Sequence, residues 1–424
     1  MKTPLLASLL QDNPIVVTGM GSYSSAGDSV AALWQAAMAA KSLAEWREFP
    51  MSGESRQRFA VCAAPPIDPA ARPTGFVRRA DRCCQMAWHA GRQAWQQAGL
   101  TGACLPERIG VIVGSSRGPV VKMAEAFDRL ERGDIPPTLV AECSLGSLAG
   151  TLAQAFGAKG PGSVISATCA SAAFAIGQAA EQILLGKLDA VLVGGTEAPL
   201  HSAVLAQLQA SGVLGSAAEA ARACRPFDAT RDGMVLGEGA GFLVLEPASF
   251  ALRRGARPLA MLAGWSTMVD SLGRAGVQGD GSSVARAMEE ALELAQFSPR
   301  QIGYVNAHGS GTVANDLAES AALGRVFGER AILCGSSKPV TGHCLGATAA
   351  LEAILCVEAL RHQKCPPTVN CAEPDPRCAV QLVSPLAPPA KLNSVLSNSL
   401  GFWGYHASLI FSVAQPQSVS SRSL

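Results

Sequence analysis

Thirteen cysteines and six histidines carry most of the reactive chemistry this 424-residue sequence offers. Cys169 stands in Thr168-Cys169-Ala170-Ser171, between a short apolar run and a long Ala-rich helical pattern. A thiol at a helix N-terminus meets the positive end of the macrodipole, which lowers its pKa and favours thiolate. His308 lies in Asn306-Ala307-His308-Gly309-Ser310-Gly311-Thr312, and His343 in Thr341-Gly342-His343-Cys344-Leu345-Gly346. Both are Gly-rich strand-to-helix turns, where a scaffold can aim a side chain into a cleft. His343 precedes its helix at the place Cys169 holds before its own. If the two segments face each other, thiol and imidazole converge on one cavity, as nucleophilic catalysis requires. Lys338 lies five residues before His343 and Glu352 nine after it, on an otherwise Ala/Leu-rich helix. A buried Glu needs a partner, and Lys338 is the candidate.

Other motifs compete. Gly114-Ser115-Ser116-Arg117-Gly118 fits G-x-S-x-G, the turn of serine hydrolases, but Pro119 follows where a helix should run on. Gly19-Met20-Gly21 starts a dinucleotide fingerprint, but Ser24 fills the third glycine place. No C-x-x-C pair exists, which argues against zinc, and most cysteines read as reduced core residues of a cytoplasmic protein.

The elements that must position these groups alternate. Strands are expected at Pro14–Thr18, Arg108–Val113, Ser163–Ser166, Ala190–Val193 and Gly241–Leu245. A second series follows at Leu259–Gly264, Gly303–Asn306, Ala331–Cys334, Ser394–Ser397 and Ser408–Val413. Helices are expected between them, among them Arg79–Ala98, Ser171–Leu185, Ser282–Ala295 and Ala347–Leu360, while 47–73 reads as irregular. This is an α/β pattern with buried sheets. Ser166–Leu184 resembles Val340–Leu360, and Ala190–Ala198 resembles Tyr304–Thr312, which suggests two duplicated halves. We expect an N-terminal half at 1–256, a C-terminal half at 257–414 and a loose tail at 415–424. Only 16% of residues are charged and 48% are hydrophobic, with a net charge of +1. That composition excludes disorder and a nucleic-acid binder held by bulk charge. The charge-free stretches 143–158 and 160–180 are better read as buried helices beside a site than as membrane spans. The N-terminal apolar run, interrupted by Pro4, does not read as a signal peptide.

Taken in order, five motifs resemble the β-ketoacyl-acyl-carrier-protein synthases, the elongating type II condensing enzymes of the thiolase superfamily. They are the Cys169 turn; Arg225-Pro226-Phe227-Asp228 with Arg231-Asp232-Gly233 and Gly237-Glu238-Gly239-Ala240-Gly241; the His308 loop; Ser337-Lys338 through Gly346; and Asn398-Ser399-Leu400-Gly401-Phe402. The resemblance spans about 14–413. It implies a five-layered α-β-α-β-α fold of two pseudo-equivalent halves, usually dimeric, needing no cofactor and no metal. It implies that Cys169 takes an acyl chain from acyl carrier protein, that His308 and His343 stabilise the decarboxylating malonyl thioester, and that the Cys169 and Phe402 backbone N–H groups form an oxyanion hole. Lys338 with Glu352 would support the His343 region. A thiolase would carry a second cysteine in the final glycine loop, and an initiating synthase one His and one Asn. A chain-length factor, the non-catalytic partner subunit, would lack Cys169.

The sequence departs from the family's pattern at several places. Trp403 replaces a glycine, Tyr405-His406 replace Thr-Asn, Arg117 replaces an apolar acyl-tunnel residue, and Met234 replaces a Phe. Arg117, Met234, Leu400, Phe402 and Trp403 are therefore the expected acyl pocket or gate, and they point toward specialised polyketide or polyene synthesis. Carrier protein is expected at Arg72, Arg78, Arg79 and Arg82. The assembly is expected to be a homodimer or a pair with a chain-length-factor-like subunit. A non-catalytic partner role and a serine hydrolase using Ser116 stand as alternatives.

Overall fold

The computed structural model describes residues 3–51, 54–68, 75–271, 277–328, 330, 332–386, 388 and 390–414. Its strands are β1 (Ile15–Ser24), β2 (Glu45–Pro50), β3 (Arg56–Cys62), β4 (Ile109–Gly114), β5 (Gly162–Ile165), β6 (Ala190–Glu197) and β7 (Leu236–Gly237), then β8 (Gly239–Pro247), β9 (Ala260–Val269), β10 (Tyr304–Asn306), β11 (Leu333–Gly335), β12 (Gln381–Leu382), β13 (Ser394–Gly401) and β14 (Tyr405–Ser412). Eleven of them form one continuous ladder, ordered β12-β11-β10-β13-β14-β9-β1-β8-β6-β4-β5.

Read outward from the central β1–β9 pair, the two arms repeat. In one, β1 meets β8 and β8 meets β6 antiparallel, then β6, β4 and β5 run parallel. In the other, β9 meets β14 and β14 meets β13 antiparallel, then β13, β10 and β11 run parallel. Spatially β6 matches β13, and β10 matches β4. The likeness of Ala190–Ala198 to Tyr304–Thr312 is thus not a topological correspondence; alternating Ala, Gly and Val text recurs wherever a buried strand ends in a turn. The helices Ser171–Leu184 and Thr348–His362 do correspond.

These two helices touch each other and strands of both arms, forming the middle layer. Arg82–Ala98 and Gly146–Phe156 cover the outer face of the first arm, and Ser282–Ala295 with Val313–Phe327 that of the second. The result is five layers, α-β-α-β-α. Small residues make the spacing possible. A Cβ on Gly19 or Gly21 would lie 2.0 or 1.9 Å from carbonyls of the Arg82–Ala98 helix. The middle helices are buried nearly throughout, which explains their wealth of Ala and other small or apolar residues. Among the described residues no helix is long and apolar enough to cross a membrane.

Several local readings are corrected. The expected Arg79–Ala98 helix is broken at Ala80-Asp81, because the Asp81 side chain caps a new helix by accepting the Cys83 N–H at 2.8 Å. The 47–73 stretch contains most of the β2–β3 hairpin, whose charged, largely exposed β2 shows no apolar–polar alternation to announce it. The N-terminal run is a helix, Thr3–Asp12, with Pro4 in its first turn, where a missing N–H costs nothing. The 415–424 tail and Arg72 lie outside the described residues.

Candidate active site

Cys169 ends a tight turn between β5 and the helix Ser171–Leu184. Thr168 adopts φ +50°, a left-handed conformation costly for a β-branched residue. The Ser171 side chain knots this turn, donating to Thr168 O at 2.6 Å and accepting the Ala167 N–H at 2.9 Å. The turn also leans on Gly401, where a Cβ would fall 2.0 Å from Thr168 Oγ1 and 3.2 Å from Cys169 N. Strain held by its surroundings at one residue is a common mark of a functional position.

His308 follows β10 and His343 precedes the helix Thr348–His362. Their rings stand 5.2 Å apart, nearly perpendicular at 78°. Both are buried. Burial, reinforced by the Lys338 ammonium, holds each imidazole well below its ordinary pKa, so both are neutral. His343 Nδ1 accepts the Leu345 N–H at 3.1 Å and lies 3.1 Å from Thr348 Oγ1. The ring proton is therefore on Nε2. Cys169, His308 and His343 line one cavity of ≈ 340 Å³, walled also by Met234, Leu345, Leu400 and Phe402.

One buried ammonium ties both histidine segments together. Lys338 Nζ donates to the His308 carbonyl and to Glu352 Oε1, the latter at 2.7 Å. Both side chains are sealed from solvent. Burial pushes the Glu352 carboxyl up to about 7 against the pull of Lys338. Replacing Lys338 by Met should destabilise the fold by about 3–5 kcal/mol, because it strands a buried carboxylate. Chemical denaturation checks this, and Lys338→Met with Glu352→Gln together should recover part of the loss.

The sequence reading missed three supports. Glu319 accepts the His308 and Gly309 N–H groups, each at 2.8 Å, and is itself met by Asn398 Nδ2 at 3.2 Å. Its signal is close to that of Glu352, a carboxylate on an Ala/Leu-containing helix, here with Asp316 three residues before it on the same buried face. Glu197, at the end of β6, accepts the Ser116 and Arg117 N–H groups. The helix Ser202–Ala210 brings Val204, Leu205 and Leu208 into the apolar cluster around Cys169.

Other expectations are corrected. Cys169 is not a resting thiolate: burial pushes its thiol up to about 12, outweighing Lys338, Arg117 and the backbone N–H groups that pull it down. Alkylation of Cys169 by iodoacetamide should therefore rise about tenfold per pH unit from pH 7 to 10; a plateau near neutrality would contradict this. Arg117 does not line the cavity. Its side chain stays exposed and bonds Gln207 Oε1 at 3.1 Å, sparing the cost of burying a guanidinium. Trp403, 55% exposed, lines a separate hollow with Val269, Asp270, Ser271 and Tyr405. Arg82 is partly buried, bonding Glu238 at 2.7 and 2.9 Å and the Ala64 and Pro65 carbonyls, and borders a hollow with Arg78 and Arg79. Arg78 and Arg79 remain exposed. Ser116 meets no histidine among the described residues: its N–H is held by Glu197, and Gly118-Pro119 separate it from the next helix.

The Beta-ketoacyl synthase N-terminal domain model matches residues 12–251, and the Beta-ketoacyl synthase C-terminal domain model matches 259–372. The chain belongs to the β-ketoacyl synthase family. The tetracenomycin polyketide synthase ketoacyl synthase alpha subunit of Streptomyces glaucescens is 34% identical over 96% of this chain and 98% of its own length. The 3-oxoacyl-[acyl-carrier-protein] synthase 2 of Staphylococcus aureus is also 34% identical, over 95% of this chain and 98% of its own. The solved ishigamide ketosynthase/chain length factor superposes with a TM-score of 0.87 at 32% identity, covering 95% of this chain and 100% of the other. The β-ketoacyl synthase is thus an acyltransferase on a thiolase-type fold.

Proposed function

We propose that this synthase performs decarboxylative condensation on Cys169, serving specialised polyketide or polyene synthesis. The observation that carries the reading is the convergence of one thiol and two neutral imidazoles on a single, largely apolar cavity. In the first step Cys169 Sγ attacks the carbonyl of an acyl-carrier thioester. The carrier sulfur leaves and takes the thiol proton, and the Cys169 and Phe402 N–H groups hold the transient oxyanion. Malonyl-carrier then enters. Its carboxylate leaves as carbon dioxide, and His343 Nε2–H with the His308 imidazole stabilises the enolate oxygen. The enolate carbon attacks the acyl-Cys169 carbonyl, and the Cys169 sulfur leaves and is reprotonated.

A neutral imidazole suits this role, since it donates one proton in a hydrogen bond without inviting full transfer. Lys338 and Glu352 act by holding the two histidine segments in place. Met234, Leu345, Leu400 and the helix Ser202–Ala210 form the wall against which the acyl chain lies. Residues 1–256 and 257–414 are proposed as the two halves, with the nucleophile in one and the histidines in the other. The acyl carrier protein is the proposed partner, together with a second copy or a chain-length-factor-like subunit, and the cytoplasm is the proposed location. Polyketide service is favoured by Trp403, Tyr405-His406 and Met234, where the family's usual residues are absent. Release of labelled carbon dioxide from malonyl-carrier, dependent on both histidines, tests the chemistry. Competition among acyl-carriers of different chain types tests the pathway: a clear preference for saturated long chains would overturn it.

A further inference from the structure

The turn Phe402-Trp403-Gly404 joins β13 to β14, with Gly401 opposite Tyr405 and Leu400 opposite His406. It is held at both ends. Near the nucleophile, Thr168 Oγ1 donates to Phe402 O at 3.3 Å, and the Gly401 backbone lies directly against Thr168 and Cys169. At the far end, Asp270 extends β9 by one residue and donates its N–H to Gly404 O at 2.8 Å. Gly404 sits at φ +73°, and a Cβ there would lie 2.3 Å from Asp270 O. The Asp270 carboxylate in turn lies 3.3 Å from His406 Nε2, with side chains only 5% and 1% exposed. Among the described residues His406 Nδ1 is buried without a partner, which places the ring proton on Nε2, facing Asp270. A buried histidine–carboxylate pair thus anchors the end of the turn remote from Cys169.

We propose that His406 is a positioning residue for acyl transfer: its Nε2–H, bonded to Asp270, fixes the Phe402–Gly404 turn so that the Phe402 N–H stays aimed, with that of Cys169, at the acyl carbonyl oxygen. This rests on the oxyanion role proposed above. The physical reason is that an oxyanion hole works by preorganisation, so a turn free to drift loses the stabilisation although no donor is deleted. His406 itself touches no substrate.

Two reactions of the same thiol separate this role from a structural one. Acylation from an acyl-carrier thioester passes through an oxyanion, whereas alkylation by iodoacetamide does not. His406→Ala should slow single-turnover acylation about 10-fold, short of the 10²–10³ expected for deleting a donor outright. The KM for acyl-carrier and the alkylation rate should stay unchanged. His406→Asn keeps an N–H donor toward Asp270 and should recover most of the acylation rate. Acylation and alkylation falling together, an unimpaired His406→Ala, or a His406→Asn as slow as His406→Ala would each overturn the proposal. A wild-type chain that takes up no acyl group would overturn the functional reading, and this role with it; a wild type that acylates beside an unimpaired His406→Ala overturns the role alone.

Discussion

Replacing Cys169 by Ala will leave the chain unable to take up an acyl group, with condensation falling by at least about 10³-fold. Carbon dioxide release from malonyl-carrier should persist, because the two imidazoles and the cavity are untouched. The fold should persist as well, since among the described residues the thiol makes no ion pair and it packs in an apolar cluster. Removing one sulfur from that wall costs about 1–2 kcal/mol, within the range for a small core truncation. The opposite pattern, lost decarboxylation with residual acylation elsewhere, would move the nucleophile away from Cys169. Ser116 is the named alternative, and a serine-directed phosphonate label would find it.

His343→Ala is the second large effect, and it should fall on the other half-reaction. Its Nε2–H is fixed by the Leu345 N–H and Thr348 bonds at Nδ1, so the donor is preorganised. Deleting such a donor typically costs about 10²–10³-fold, and malonyl-carrier decarboxylation should drop by that much. Acylation of Cys169 should change far less, since its oxyanion is proposed to rest on backbone N–H groups rather than on His343. In the wild type, both imidazoles titrate well below the ordinary histidine value, because burial and Lys338 disfavour their charged forms. The decarboxylation rate should therefore show no histidine bend near pH 6.5 (about the value of a free side chain). A bend there would mean a solvated imidazole and would contradict the buried pair.

The contrast between these variants assigns chemistry to place. The sulfur sits at the helix end of the first arm, His343 at the matching turn of the second, and His308 after the neighbouring strand β10. That division was legible in the sequence because it is local. A Cys and a His each stand before an Ala-rich helix, and a lone Glu or Lys in apolar surroundings announces a buried pair. The strand series was legible for the same reason, through short Val/Ile runs ending in glycine. Even so, the likeness of Ala190–Ala198 to Tyr304–Thr312 misled, because a strand's neighbours are not written in its own residues.

What stayed hidden depends on three-dimensional summation. Helix-end position suggested a thiolate at Cys169, but desolvation by the surrounding apolar cluster outweighs the dipole, and only the packed structure shows how complete that desolvation is. Arg117 aligned with a tunnel position, yet a guanidinium lies where solvent reaches it. Arg82 read as surface charge, but Glu238, 156 residues away, claims it. His406 acts through Asp270, 136 residues away, and carries no local motif. Groups that react tend to be visible in the chain, whereas groups that hold them in place are visible in the fold.

Cys169 is proposed to carry the acyl chain between two carrier-bound substrates. Intact-protein mass spectrometry tests it most directly, after mixing the chain with acyl-carrier and then chasing with malonyl-carrier. A mass increase equal to one acyl group should appear, mapped to Cys169 and absent in Cys169→Ala. That increase should be lost on the chase, with a β-ketoacyl-carrier longer by two carbons. An adduct that forms in Cys169→Ala, or an acyl-Cys169 that malonyl-carrier leaves in place, would contradict it.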